Sequence, residues 1–310
     1  MLQSKARGIC MNWQGKTAFI TGGVSGIGFG IARAFAEAGM DLILSYRNEA
    51  YRADAEAWFV QNERPLPRFV KLDVTDREGF AAAAAEAGKV HVLVNNAGVS
   101  VFGPTDEASY ADHDWIMGVN YGGVVNGLVS FLPGMKAHGD GGHVVNVASM
   151  AAYLSGPQAG IYTASKFAVR GLTESLRYNL APYGIGVSLM CPGLTKTNAW
   201  DSALKRPDDF ADTGFKPANK EELEQFGTAF DLGMDPLEVG HKTLAGMTEN
   251  RGLILTHPEF AEDFEEIYRT SLEALPKEPV PDGRLHIEKL RRDANRAAAE
   301  GKMINLGDLT

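Results

Sequence analysis

Tyr162 and Lys166 stand four positions apart, so on a helix they share one face. A free phenol ionises near ~10. An ammonium beside it favours the phenolate and lowers that value, which suits general acid/base work near neutral pH. Ser149 follows an apolar, β-rich run, where its hydroxyl could hydrogen-bond a substrate oxygen. A tyrosine and a lysine four apart are also a frequent accident of sequence, so the pair takes its meaning from what stands around it.

Upstream, Thr21-Gly22-Gly23-Val24-Ser25-Gly26-Ile27-Gly28 follows the first β-rich run and opens a helical stretch. Gly22 permits a tight turn and Gly26 lets backbone approach a pyrophosphate. Gly28 lets helix and strand pack closely, and the helix N-terminus offers N–H donors to phosphate. Alone, such a turn can be no more than a turn; its place after the first strand favours a dinucleotide. Asp73-Val74 follow the third strand and Asn95-Asn96-Ala97-Gly98 the fourth. Both lie at strand carboxyl ends, where open α/β sheets bind ligands, although each taken singly is ordinary turn chemistry.

These residues need a scaffold that brings strand ends together. Apolar runs at 17–21, 42–46, 69–72, 92–95, 143–147, 186–190 and 253–256 read as strands. Helical stretches at about 49–61, 76–87, 110–138 and 163–181 alternate with them. A further helix runs through Ile31, Ala34, Phe35 and Ala38 and closes at Gly39. Another follows Asp235, with Pro236 in its first turn. The rhythm predicts an α/β fold, a doubly wound parallel sheet in three αβα layers. Residues 14–257 form that domain, 1–13 read as a leader, and 258–310 as a helical C-terminal extension with helices near 259–275 and 282–300. From 194 to 232 the pattern breaks down into a polar insertion holding Pro207, Pro217, Trp200, Phe210, Phe215 and Phe226. Loops of this length inside a compact domain are usually functional.

Composition narrows the field. The chain has 310 residues, 45% of them hydrophobic, which is ample for a core and excludes a mostly disordered protein. A net charge of −9 argues against a general nucleic-acid or anionic-membrane binder. No uninterrupted apolar run reaches ~18 residues, so no membrane span is read, and the N-terminus has no apolar h-region of a secretory signal. Cys10 and Cys191 form neither a disulfide framework nor a metal-ligand pattern, which fits a reducing, cytoplasmic setting. Cys191 reads as a small buried residue, and His91, His138 and His143 as structural or solvated. No histidine/carboxylate cluster suggests a metal.

Over about residues 16–256 the motifs fall in one order: Thr21–Gly28, Asp73, Asn95–Gly98, Asn120, Ser149, Tyr162 with Lys166, then Pro192-Gly193 and Thr197. In this order, and in the thirteen residues from Ser149 to Tyr162, the chain resembles the short-chain dehydrogenase/reductases of the single-domain, Rossmann-like type. The resemblance implies a ketone/secondary-alcohol oxidoreductase. Tyr162 would be its acid/base, Ser149 the donor to the substrate oxygen, and Asn120 the helix-bending residue that holds a relay water. Lys166 would lower the Tyr162 pKa and hold the nicotinamide ribose. It further implies that Gly22, Ser25, Gly26, Ile27, Gly28, Asp73, Val74, Asn96, Ala97, Gly98, Pro192, Gly193 and Thr197 line the dinucleotide. Within the family, the stretch from Asp114 to Asn120, the surroundings of Asn126-Gly127, Arg206-Pro207 and the long tail resemble the aryl-ether alcohol (Cα) dehydrogenases. Residues 194–232 would then be a mobile lid. With Phe102, Tyr153, Leu154 and Trp200 it would shape an aromatic pocket for a bulky or aromatic small molecule. The family packs through the helices near 112–138 and 163–181, implying a homodimer or homotetramer.

The end of the second strand decides the cofactor expectation. Ser45-Tyr46-Arg47 stands where an NAD-using member has an acidic residue. Ser45 removes the repulsion of a 2′-phosphate and could bond it, Arg47 could pair with it, and Tyr46 could lie beside the adenine. NADP(H) is therefore favoured, with NAD(H) as the alternative. The rival readings are an NAD-dependent aryl alcohol dehydrogenase and a non-catalytic dinucleotide sensor, which typically lacks the Tyr/Lys pair. A reductase acting on acyl-carrier substrates would prefer a basic mouth, which Asp208, Asp209, Glu221 and Glu222 do not offer.

Overall fold

Seven short apolar strands form one parallel sheet in a computed structural model that describes residues 12–216, 219–305 and 307. The strands are β1 Thr17–Ile20, β2 Asp41–Tyr46, β3 Arg68–Lys71, β4 Val92–Asn95, β5 Gly142–Val147, β6 Ile185–Cys191 and β7 Leu253–Leu255. Between them run α1 Gly26–Glu37, α2 Glu49–Gln61, α3 Arg77–Ala87, α4 Tyr110–Met117, α5 Gly123–Ala137, α6 Gly160–Leu180, α7 Lys220–Gly227 and α8 Pro236–Thr248. Two tail helices follow, α9 Ala261–Glu273 and α10 Asp282–Ala299. Cys10 and most of the expected leader, and Pro217 of the insertion, lie outside the described residues.

The strand order is β3-β2-β1-β4-β5-β6-β7. It reverses between β1 and β4, and the crevice at such a switch point is where open α/β sheets bind ligands. β4 and β5 are buried along their whole length, as central parallel strands covered on both faces must be. Alternate side chains feed two cores. Phe19, Leu93 and Val144 pack with Trp115, Ile116, Leu128, Phe131 and Val169. Ile20, Leu44, Val94 and Val145 pack with Ile31, Phe35, Val239 and Met247.

The helical run Tyr110–Ala137 is long and apolar enough, by length and composition alone, to cross a bilayer. Here it carries Trp115, Ile116, Leu128 and Phe131 of the first core. It is not one α-helix, as read from sequence: a π-helical turn at Gly118–Gly122 separates α4 from α5. The insertion differs too, being built of short 3₁₀ turns and α7. Asn219 caps helix α7, its side chain accepting from Glu221 N, and the helix's polar sequence hid it from a search for apolar periodicity.

Helices α1 and α8 cross backbone to backbone. A Cβ on Gly30 would collide with the Pro236 carbonyl, and one on Gly240 with the Gly30 carbonyl. Gly30→Ala is therefore expected to cost about 1–3 kcal/mol and to lower Tm by several degrees. An unchanged thermal melt would show that the two helices have room to part.

Candidate active site

At the switch point, side chains tie the two glycine-rich turns together. Gly22 and Gly26 adopt the left-handed conformation, with φ of +61° and +51°. The Thr21 hydroxyl accepts from Asn96 N (2.8 Å) and Ala97 N (3.0 Å), and Asn96 Nδ2 donates to the Thr21 carbonyl at 2.9 Å. Gly28 is forced by closeness, since a Cβ there would strike the Gly22 carbonyl. Ser25 is exposed at the N-cap of α1 without using its side chain as a cap, and the first turn of α1 has no acidic residue. The first N–H groups of α1, beside Ile27, are thus left to an anion.

The sequence-predicted chemical residues meet one strand further along. Tyr162 lies in the first turn of α6 and Lys166 one turn later. Lys166 is buried, and its Nζ donates to the Val147 carbonyl at 3.3 Å and lies 5.5 Å from the centroid of the Tyr162 ring. Ser149, just after β5, faces the Tyr162 phenol, and its hydroxyl accepts from Ala151 N at 3.1 Å. Gly98 lets the β4 turn approach: a Cβ there would sit 3.1 Å from Asn120 Oδ1 and 3.5 Å from Lys166 Nζ.

Asn120 occupies the π-helical turn. Its Oδ1 accepts from Val99 N at 2.8 Å, while Nδ2 donates to the Val99 carbonyl and the Ser165 hydroxyl, both at 3.0 Å. The side chain is thereby committed to holding the 98–99 turn and α6 in register.

Burial sets the protonation states. It pushes the Tyr162 phenol above its ordinary 10, the facing Ser149 hydroxyl opposing it. It drives the Lys166 ammonium down to about 8. Burial is the largest influence on the phenol in this structure, and it acts against the lowering expected of Lys166. The ammonium lies towards the ring rather than on the hydroxyl, and desolvation outweighs it. A phenol so held is a proton donor at neutral pH. Cys191 is buried behind these groups with its thiol pushed up to about 12, which fits the inert small residue expected.

The loop after β6 closes the site. Pro192 is buried and its carbonyl accepts from Met150 N at 2.9 Å, next to Ser149. The Thr197 side chain faces Gly26. His257, at the carboxyl end of β7, was not singled out from sequence, yet it clamps this loop. Its Nδ1 accepts from Gly193 N at 3.0 Å, and its Nε2 lies 2.8 Å from the Leu194 carbonyl. Its place after a strand, like that of Asp73, was the available signal. Phe260 packs over Gly193, and Phe264 of α9 meets Tyr153 edge-on at 4.9 Å, so the extension reaches its own site.

The cofactor-side expectations at β2 need correction. Ser45 is 1% exposed and its hydroxyl accepts from Gly22 N at 3.2 Å. It supports the glycine turn from beneath rather than standing exposed at the strand end. The Tyr46 hydroxyl faces Glu49, which with burial raises its pKa. Arg47 is half exposed and lies 3.7 Å from Asp73, whose other oxygen accepts from Thr75 N and Oγ1 at 2.9 and 2.7 Å. The Val74 side chain is buried against Gly123.

Beyond Gly98 the same loop borders a cavity of about 290 Å³ lined by Ser100, Phe102, Trp200, Arg206, Phe215 and Lys216, among others. Tyr162 does not line it; the 98–102 stretch links the two. Tyr153 and Leu154, expected in the pocket, do not line this cavity and pack against the first core. Among the described residues no cluster of metal-binding side chains occurs.

Lys166 titrates at about 8 in the folded chain against 10.5 for the free group. The cost of burying its ammonium is therefore complete below pH 8 and fades as pH rises toward 10.5. That shift corresponds to about 3 kcal/mol. Lys166→Met should melt at or above the wild type at pH 7 and lose that margin by pH 10. A variant less stable at pH 7, by an amount independent of pH, would show that the ammonium is not strained.

The family model of the short chain dehydrogenases matches residues 16–208. A C alpha-dehydrogenase of Sphingobium sp. (strain NBRC 103272 / SYK-6) is 36% identical over 302 residues, covering 94% of this chain and 98% of that protein. Among solved structures, a short-chain dehydrogenase of Novosphingobium aromaticivorans is 37% identical with a TM-score of 0.78, covering 94% of this chain and 99% of that one. A short chain dehydrogenase/reductase of Burkholderia phymatum, in complex with NAD, is 34% identical with a TM-score of 0.79, covering 87% and 99%. Fold, motif order and these likenesses agree: the chain belongs to the short-chain dehydrogenase/reductase family as an NAD(P)-dependent oxidoreductase, with a resemblance to the aryl-ether alcohol dehydrogenases.

Proposed function

We propose that this enzyme interconverts a bulky or aromatic ketone and its secondary alcohol, with Tyr162 as acid/base. The observation that carries the proposal is the Tyr162 phenol facing Ser149, with the buried Lys166 Nζ 5.5 Å from the centroid of its ring. In reduction the Tyr162 phenol gives its proton to the carbonyl oxygen, and the Ser149 hydroxyl holds that oxygen. In oxidation the same atoms take the alcohol proton. Lys166 steadies the negative charge left on the phenol, its own ammonium held by the Val147 carbonyl. The nicotinamide, when bound, supplies or accepts the hydride.

The residues fit a dinucleotide. The uncapped first turn of α1, with Ser25, Gly26 and Ile27, would take the pyrophosphate. Gly98 and Lys166 would meet the ribose, and Gly193 and Thr197 the nicotinamide end. Asp73 and Asn96-Ala97 flank the adenosine side. NADP(H) is the favoured form because no carboxylate ends β2 and Arg47 is half exposed there. NAD(H) is supported instead by the Arg47–Asp73 pair, which draws the guanidinium away, and by the NAD complex of the Burkholderia phymatum relative.

The cavity supports the substrate class. About 290 Å³ beside Phe102, Trp200 and Phe215 suits an aryl group better than a sugar. The name of the C alpha-dehydrogenase relative points the same way. For assembly, Val129 on α5 and Phe167 on α6 expose apolar side chains, in keeping with packing of two copies through these helices.

The direct test is a panel of aryl and aliphatic ketones and alcohols followed by absorbance of the reduced cofactor, with both cofactor forms. Turnover of aryl substrates is expected, and none with any carbonyl or alcohol would leave the dinucleotide sensor as the better reading. A charge-assisted Arg–phosphate contact contributes about 1.5–3 kcal/mol. Arg47→Ala should therefore lower the NADPH/NADH ratio of kcat/KM by roughly ten- to a hundredfold. A wild type preferring NADH, or a ratio unmoved by the substitution, would make NAD(H) the cofactor.

A further inference from the structure

Asp112 on α4 is fully buried, and the chemistry above does not use it. Four donors converge on its two oxygens. Oδ1 accepts from Arg206 Nη2 at 2.5 Å and Thr213 Oγ1 at 2.7 Å. Oδ2 accepts from Ser109 N at 2.9 Å and Gly214 N at 3.0 Å. The Ser109 hydroxyl lies 3.0 Å from the same oxygen and 2.6 Å from the Asp212 carbonyl, and gives its single proton to one of them. Arg206 is enclosed as well: its guanidinium lies 4.6 Å from the Trp115 ring centroid and donates to the Phe210 carbonyl at 3.0 Å.

Three of the four donors come from residues 206–214, about a hundred positions along the chain from Asp112. The same stretch delivers the cavity wall. Arg206, Thr213 and Phe215 line the cavity, Phe215 N donates to Thr213 Oγ1 at 3.1 Å, and the Phe215 ring lies against Gly103 so closely that a Cβ there would strike it. Only an acceptor without hydrogens satisfies this set. An amide in its place would turn N–H groups on N–H donors and leave a buried guanidinium without a counter-charge.

We propose that Asp112 is a positioning residue: by fixing residues 206–215 it sets the shape of the substrate cavity and so which substrates fit. The claim about substrates rests on the cavity being the substrate site of the proposed oxidoreductase; the claim about the wall does not. Burial pushes the Asp112 carboxyl up, but its hydrogen bonds outweigh this and hold it at about 2. The anion therefore persists into strongly acidic solution, and the wall is a fixed feature rather than a pH switch.

The test is backbone hydrogen exchange, which needs no substrate, paired with kinetics on aryl ketones from the panel. In Asp112→Asn, exchange over residues 206–215 should speed up at least tenfold while the amides of β4 and β5 stay protected. KM for aryl ketones should rise about tenfold or more, with a much smaller change in kcat and no change in cofactor Kd. Thr213→Val, which removes one bond without stranding a charge, should move both readouts in the same direction by less. It carries the test if Asp112→Asn does not fold. Unchanged exchange over 206–215 in the folded variants would overturn the wall itself. Faster exchange with unmoved ketone KM would overturn the claim on substrates. If no ketone is turned over even by the wild type, the oxidoreductase reading fails, while exchange still decides whether Asp112 holds the wall.

Discussion

A lysine ammonium buried at 4% exposure, with a single carbonyl as its hydrogen-bond partner among the described residues, is the constraint around which this molecule is arranged. Desolvation opposes the charge, and the chain offsets it only in part. Holding that ammonium beside a phenol needs four segments in register. β5 supplies the Val147 carbonyl and Ser149, and α6 supplies Tyr162 and Lys166. The β4 turn supplies Gly98, whose missing side chain leaves room for Asn120 Oδ1, with Nζ just beyond. The π-helical turn supplies Asn120, which ties the β4 turn to α6.

Regular pairing ends at the strand carboxyl edge, so the loops there are held by side chains. Thr21 and Asn96 bind the two turns at the switch point, and Ser45 holds the glycine turn from below. His257 fastens the loop after β6. Asp112 does the same for the stretch after Arg206. In each case a short polar side chain satisfies backbone groups that the sheet has left open, which is how irregular backbone is tolerated at a buried site.

The sequence made the sheet and the chemical residues legible for physical reasons. Runs such as Val92–Asn95 are apolar on both faces because central parallel strands are covered twice, and they show as unbroken blocks. Tyr162, Lys166 and Ser149 carry their chemistry in residue type and spacing. What the sequence concealed depends on contacts across long separations. The bend expected at Asn120 takes the form of a π-turn whose side chain reaches Val99, a contact no local pattern shows, and the burial that raises the Tyr162 pKa belongs to the packed site. Ser45 looked like a phosphate ligand until its burial beneath Gly22 gave its hydroxyl another partner. Asp112 ends a local capping box with Ser109 and His257 stands just past an apolar strand, but only the fold brings their distant partners to them.

The most direct measurement is single-turnover reduction of an aryl ketone by Tyr162→Phe, with cofactor binding measured on the same protein. Removing only the phenol proton should slow the hydride-transfer step by roughly 10²–10⁴-fold while leaving cofactor Kd close to that of the wild type. A near-normal rate in the folded, cofactor-binding variant would contradict the assignment of Tyr162 as the acid/base.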